Sequence, residues 1–275
     1  MDGRIRVGTT SYIKPADILP NVRYLAPLVD DIELVLFESA EASNLPDERT
    51  IAELASLARE HDLTYTVHFP LDIFPGSRDE AERAEAAMML NGIVSLTEEL
   101  DPFGYVLHLT PDHYGVSPSH EVEAWLSSLD RSLEEFLKTT AIDPALICVE
   151  TLSYPFAIVE ELVRRYGLSV TLDIGHIWLM GYDSDEAARH LLPQSRICHL
   201  HGVADGTDHL GLDAGDGEAI ERFLRSLVEH TERDGRERVL TLEIFSEREF
   251  EASLSFLRAS RAMMGQSSGG VYGNH

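Results

Sequence analysis

The 275-residue chain carries 48 acidic against 22 basic residues, a formal charge of −26, and Lys14 and Lys138 are its only lysines. A chain without a basic face does not attract phosphate backbones, so nucleic acid is not an expected partner; acidity on this scale also serves simply to keep a surface solvated. The 44% hydrophobic and 25% charged content is that of a folded globular protein, no run approaches the roughly 18 apolar residues of a membrane span, and residues Met1 to Thr10 contain no apolar signal core.

Short apolar, β-rich runs alternate with helix-patterned stretches along the whole chain. Strand Arg4 to Val7 precedes a weakly marked helix around Pro15 to Leu28. Ile32 to Phe37 precedes Asp47 to His61, Thr64 to His68 precedes Ser77 to Leu100, and Tyr105 to Leu109 precedes His120 to Thr139. Leu146 to Glu150 precedes Tyr154 to Arg165, Leu168 to Asp173 precedes Ser184 to Leu192, Arg196 to His201 precedes Gly217 to His230, and Val239 to Glu243 precedes Glu247 to Met264. Repeated strand-then-helix order demands parallel strands, and eight units in this length predict one α/β domain, a (β/α)8 TIM barrel over residues 1–264, with a Gly/Ser-rich tail at 265–275. A doubly wound sheet is disfavoured because Gly8-Thr9-Thr10-Ser11-Tyr12, not a dinucleotide-binding glycine motif, follows the first strand. Cys148 and Cys198 sit in apolar strands without a C-x-x-C pair, which suits a reducing, cytoplasmic setting.

Reactive residues of such a barrel stand where strands end. Six consecutive strands finish on metal-competent side chains: His68, His108, Glu150, Asp173 with His176 three residues on, His199 and His201, and Glu243. One strand-end histidine is ordinarily a hydrogen-bonded core residue. Several carboxylates converging on one mouth would instead repel each other, and divalent cations remove that conflict. Mixed imidazole and carboxylate ligation suits Zn2+, Mn2+ or Fe2+ rather than Ca2+.

The stretch Gly202 to Gly217 contains Asp205, Asp208, His209, Asp213 and Asp216. Its aspartates read equally as turn formers, whereas His209 beside a histidine-rich mouth is the stronger ligand candidate. Glu38, placed with the parity of Leu34 and Leu36, is expected to reach the mouth as a supporting base or a substrate contact. Tyr12 and Lys14 after the first strand could hold an anion, and Asp112, His113 and Tyr114 lie in a long segment expected to shape the pocket.

These residues resemble the xylose-isomerase-like barrel superfamily, which includes the endonuclease IV family and many sugar-phosphate isomerases and epimerases. The resemblance implies a shared metal on Glu150, Asp173, His199 or His201, and Glu243, with His68 and His108 completing a second site around a bridging Glu150 and His176 with His209 available for a third. The endonuclease branch has an Asp-x-His pair where this chain has adjacent Asp208 and His209, which leaves the count at two or three ions. More narrowly, Val7 to Ile13, Pro15 to Ile18 and Val29 to Glu38 resemble the cobamide-remodelling phosphodiesterases of that superfamily. This implies hydrolysis of the phosphodiester in the nucleotide loop of a cobamide, with metal ions supplying the nucleophile, Glu150 and Glu243 at the reaction centre, and no task for either cysteine. The alternative is a sugar or sugar-phosphate isomerase or epimerase, using one metal with Glu150 and Glu243 as paired acid and base. In either case the partner is a small molecule, and the protein is expected to be a monomer or small homo-oligomer away from membranes.

Overall fold

In the computed structural model, residues 4–39 and 42–260 are described. The strands are β1 (Ile5–Thr10), β2 (Asp31–Val35), β3 (Thr64–His68), β4 (Gly104–Leu107), β5 (Ile147–Glu150), β6 (Ser169–Asp173), β7 (Ser195–Leu200), β8 (Gly202–Ala204), β9 (Thr207–Leu210) and β10 (Arg238–Leu242). Eight of them close in the order β1-β10-β7-β6-β5-β4-β3-β2, with every pairing parallel. The expected (β/α)8 barrel is therefore the fold. The tail at 265–275 and the expected domain boundary at residue 264 lie outside the described residues.

The helices are α1 (Ile18–Leu25), α2 (Glu48–His61), α3 (Glu80–Thr97), α4 (Val122–Thr139), α5 (Glu160–Tyr166), α6 (Ile174–Leu179), α7 (Ser184–Leu191), α8 (Gly217–Asp234) and α9 (Glu247–Ala259). Several begin on a carboxylate or hydroxyl that accepts a backbone N–H: Asp47 from Thr50, Asp173 from His176, Asp216 from Glu218 and Ser246 from Glu249. Two elements depart from the sequence reading. Helix α6 starts directly at the end of β6, and the segment read as a loop after β7 contains an antiparallel hairpin of β8 and β9. Asp205 and Gly206 turn that hairpin with φ of 52° and 75°, the left-handed pair that a two-residue hairpin turn requires.

The barrel has two cores. Leucines and isoleucines such as Leu34, Leu36, Leu107, Leu172, Leu200 and Leu242 pack outward beneath the helices. Inside, Phe103, Val106, Cys148, Ile197 and Val239 form a separate apolar plug. Because successive side chains of a strand alternate faces, stepping on by two from Val106, Cys148 and Ile197 reaches His108, Glu150 and His199. The plug is thus the floor on which the polar mouth stands.

At the other end of β10, the fully buried Arg238 joins several elements. It donates to the carbonyls of Leu192 and Ser195, to Thr231 Oγ1, and to both oxygens of Asp234 at 3.0 and 2.6 Å. Removing the guanidinium strands these acceptors and opens a cavity. Arg238→Ala is expected to cost about 3 kcal/mol or more in urea unfolding; a loss below about 1 kcal/mol would show that the network contributes little.

Asp31, fully buried in β2, gives a pH signature. Burial pushes its carboxyl up to about 7, against the opposing effect of the Thr64 hydroxyl, which donates to it at 2.6 Å, with the nearby Thr66 hydroxyl and Arg6 also lowering it and Glu33 pushing the same way as burial. The folded value lies above the roughly 3.9 of an unfolded aspartate. This group's stabilisation is therefore complete below about pH 4 and lost as pH rises through about 7. Urea midpoints of Asp31→Asn measured from pH 4 to 8 should fall less than those of the wild type; parallel curves would contradict the assignment.

Candidate metal centre

The C-terminal ends of β3 to β7 and β10 bring the expected residues together. Glu150, Asp173, His199 and His201 are completely buried, and His68 and Glu243 nearly so. Glu150 is the hub: its Oε2 lies 2.9 Å from His108 Nε2 and 3.4 Å from His68 Nε2, while its Oε1 lies 3.4 Å from His176 Nδ1 and 3.7 Å from His199 Nδ1. His199 Nδ1 also approaches Glu243 Oε2 at 3.1 Å and Asp173 Oδ2 at 3.8 Å. The hairpin carries His209 over the mouth, where its ring stacks on that of His201 at 4.4 Å and its Nε2 lies 3.5 Å from Glu243 Oε2. Gly175 permits this closeness, since a Cβ there would sit 2.1 Å from His201 Cε1.

Charge is balanced by mutual attraction. Burial alone would raise the Glu150 carboxyl, but His108 and His199 hold it well below the usual carboxylate range. Glu243 is lowered in the same way, burial being outweighed mainly by His199 and His209. Conversely, burial disfavours protonated imidazoles, yet Glu150 and other carboxylates push His68 up to about 9, and Asp173 with Glu150 pushes His176 up to about 11. The His209 imidazole is likewise driven up to about 9, chiefly by Glu243 against the effect of burial.

Imidazoles and carboxylates alone leave the site unsatisfied. Among the described residues, Glu33 Oε1, Glu150 Oε1, Asp173 Oδ2, His199 Nδ1, His201 Nε2 and Glu243 Oε2 are buried without a hydrogen-bond partner, an expensive condition that cations would relieve. Ligand-type atoms group within 4.8 Å as His68–His108–Glu150, as Glu150–Asp173–His199–Glu243, as His176–His201–His209, and as Glu33–His68–Glu243. The donor set fits divalent transition ions, with Glu150 common to two groups.

Glu33 is the residue that the sequence reading missed. Its Oε2 lies 2.9 Å from His199 Nε2, with both side chains wholly buried. Parity explains the omission: Leu34 and Leu36 belong to the outer core, so the face they share with Glu38 points away from the barrel axis, whereas Glu33 shares the inner face with Val35, which lines the mouth. Glu38 instead pairs with Ser43 and lines a side cavity with Asp72 and Phe74.

The other expected contacts divide. Tyr114 lines the metal mouth, a cavity of about 370 Å3, together with Leu71 and Phe245. His113 pairs with Asp112 at 2.9 Å, stacks on His120, and does not line the mouth. Tyr12 packs near Phe37 and Asn44 in a separate cavity. Lys14 is held by Glu247 at 3.1 Å and lies over the Tyr24 ring, so its charge is engaged elsewhere.

Comparison with known proteins places this barrel in a wide structural class. No curated protein matches the sequence. A D-tagatose 3-epimerase-like protein superposes with a TM-score of 0.74 at 20% identity, covering 96% of this chain and 100% of its own. An L-ribulose 3-epimerase gives 0.65 at 18%, covering 95% and 93%. Endonuclease IV from Thermus thermophilus gives 0.66 at 16%, covering 95% and 100%. At these identities the likeness is one of fold. The family model described as xylose isomerase-like TIM barrel matches residues 29–260, and the chain belongs to that family.

Proposed function

We propose that the protein is a metal-dependent hydrolase of a phosphodiester, acting on a cobamide. The observation that carries this reading is the pair of ligand groups sharing Glu150, His68–His108–Glu150 beside Glu150–Asp173–His199–Glu243. A one-metal reaction has no use for the first of them. Divalent ions held there, Zn2+ or Mn2+ by the donor set, would acidify a water and polarise the phosphoryl oxygens. Glu150 spans both groups and fixes their spacing. Glu243 lies between the imidazoles of His199 and His209, which keep its carboxylate ionised beside the reacting centre.

The rim supports a large, partly apolar substrate. Leu71, Tyr114 and Phe245 line the mouth while remaining 55%, 69% and 46% exposed. Such a polar floor under an apolar edge suits an ester whose neighbouring groups are bulky and flat, and it offers little to a free ketose. The charge of −26 continues to weigh against a nucleic-acid substrate. No helix among the described residues is long and apolar enough to cross a membrane.

A second reading has its own support. Glu150, Asp173, His199 and Glu243 form a complete one-ion set by themselves, and the structural neighbours named above are mostly sugar epimerases, which favours an epimerase or isomerase with Glu150 and Glu243 as paired acid and base over the cobamide reading. The rim and the extra histidines weigh the other way.

Adenosylcobalamin incubated with Zn2+- or Mn2+-reconstituted protein, then resolved by chromatography with mass detection, should yield a corrinoid lacking its nucleoside. Glu150→Ala and chelator-treated protein should leave it intact. Intact cobamide beside metal-loaded wild type, together with deuterium uptake from D2O into a ketose, would reject hydrolysis and establish the epimerase.

A further inference from the structure

The metal mouth has a neighbour at the same end of the barrel. A second cavity, of about 450 Å3, lies between the segments that follow β3 and β4, with Phe74, Gly76, Arg78, Thr110, Asp112 and Trp125 in its lining. Small-molecule sites span roughly 300–1,000 Å3, so the space is ample for a ligand. One stretch of chain divides it from the mouth: Pro111 lines the mouth, while Thr110 and Asp112 on either side of that proline line the second cavity. Consecutive Cα atoms are about 3.8 Å apart. A molecule held over the metal ligands therefore enters the second cavity by crossing a single residue.

The dividing wall is held in place from behind. Trp125 of α4, only 3% exposed, donates from Nε1 to the carbonyl of Thr110 at 3.2 Å and meets the Tyr154 ring edge-on at 5.4 Å. The Tyr154 hydroxyl donates to the carbonyl of Leu109 at 2.9 Å, so the two aromatic side chains fix residues 109 and 110 together. On the β3 side the Ser132 hydroxyl donates to the carbonyl of Pro75 at 2.7 Å. Gly76 next to it packs on the indole, where a Cβ would sit 2.2 Å from Trp125 Nε1. Arg78 and Glu121, 2.7 Å apart, tie the two segments to each other.

The lining defines the chemistry of an occupant. Trp125 and Phe74, the latter 47% exposed, present aromatic surface to a flat ring. Asp112 presents acceptors: His113 Nδ1 engages its Oδ1 at 2.9 Å and the Ser119 hydroxyl its Oδ2 at 3.0 Å, and each carboxylate oxygen keeps a second lone pair for a hydroxyl. Glu82 lines the cavity as well, so two carboxylates face one guanidinium, that of Arg78. An anionic group gains nothing there and stays with the metals. A neutral molecule with a flat ring and hydroxyl donors fits, which is the description of a ribonucleoside.

We propose that this second cavity is a nucleoside subsite, in which the base of the substrate lies against Phe74 and Trp125, the free ribose hydroxyls donate to Asp112, and the phosphodiester crosses Pro111 to reach the metal centre. The inference rests on the phosphodiesterase reading and adds which half of the cobamide goes where. The corrin ring, too large for the cavity, stays on the open rim of Leu71, Tyr114 and Phe245.

Calorimetric titration of the zinc-loaded protein with dimethylbenzimidazole riboside, the nucleoside portion of cobalamin, tests the subsite without turnover. Wild type should bind the riboside, and Phe74→Ala should bind it about 10-fold more weakly, the loss expected of one base–aromatic contact. The 2′-deoxyriboside should bind wild type more weakly than the riboside, whereas Asp112→Ala should bind the two alike, because the partner of that hydroxyl is gone. With adenosylcobalamin, both variants should raise KM by about 10-fold and leave kcat nearly unchanged, the mark of lost ground-state binding. Thermal melts and zinc content separate misfolding from lost contacts, and the half-exposed Phe74 decides the matter if the Asp112 variant does not fold. No riboside binding to wild type, or equal binding to wild type and Phe74→Ala, would overturn the subsite. Bound riboside beside intact adenosylcobalamin would overturn the cobamide reading while supporting the nucleoside site.

Discussion

Everything at the barrel mouth is organised by one buried carboxylate, that of Glu150. It has no solvent exposure, and imidazoles from β3, the β4 end, α6 and β7 approach its two oxygens. A lone carboxylate in such a place would protonate or destabilise the fold. Here the surrounding imidazoles keep it ionised, and with Asp173 and Glu243 it forms a concentration of negative charge that suits cations. One constraint therefore accounts for the density of histidines, the orphaned oxygen and nitrogen atoms, and the placement of the hairpin that brings His209 across.

The geometry is inherited from the pleat. Interior positions recur every second residue, so the floor of Val106, Cys148 and Ile197 fixes where His108, Glu150 and His199 emerge. The apolar plug excludes water from below, which strengthens each electrostatic interaction above it. Above the ligands the lining changes again to Leu71, Tyr114 and Phe245. The mouth is thus layered, with an apolar floor, a charged middle and an apolar rim, and a substrate with a charged centre between bulky apolar parts matches that order.

Much of this could be read from the chain because its signals are local. Alternation of apolar strands and amphipathic helices determines the barrel, and strand ends identify His68, His108, Glu150, Asp173, His199 and Glu243. What escapes depends on register or on turn geometry. Glu33 lies in the middle of a strand, flanked by Ile32 and Leu34, and nothing local marks it as a partner of His199, 166 positions away. Parity with Leu34 and Leu36 misplaces Glu38, because those leucines belong to the outer core. The Asp205-Gly206 pair is a hairpin turn signal that a reading of the region as an acidic loop obscures, and with it goes the placement of His209 over the mouth against His201. Lys14 and Tyr12 follow β1 as expected, but Glu247 on α9 and the Phe37–Asn44 segment hold them elsewhere, contacts made only after the barrel closes.

The central claim is that Glu150 joins two metal sites rather than completing one. Anomalous diffraction from crystals grown with Zn2+, collected on both sides of the zinc absorption edge, addresses it directly. Two peaks should flank Glu150, one against His68 and His108 and the other against Asp173, His199 and Glu243. A single peak in the second position, with His68 and His108 vacant at saturating zinc, would contradict the account.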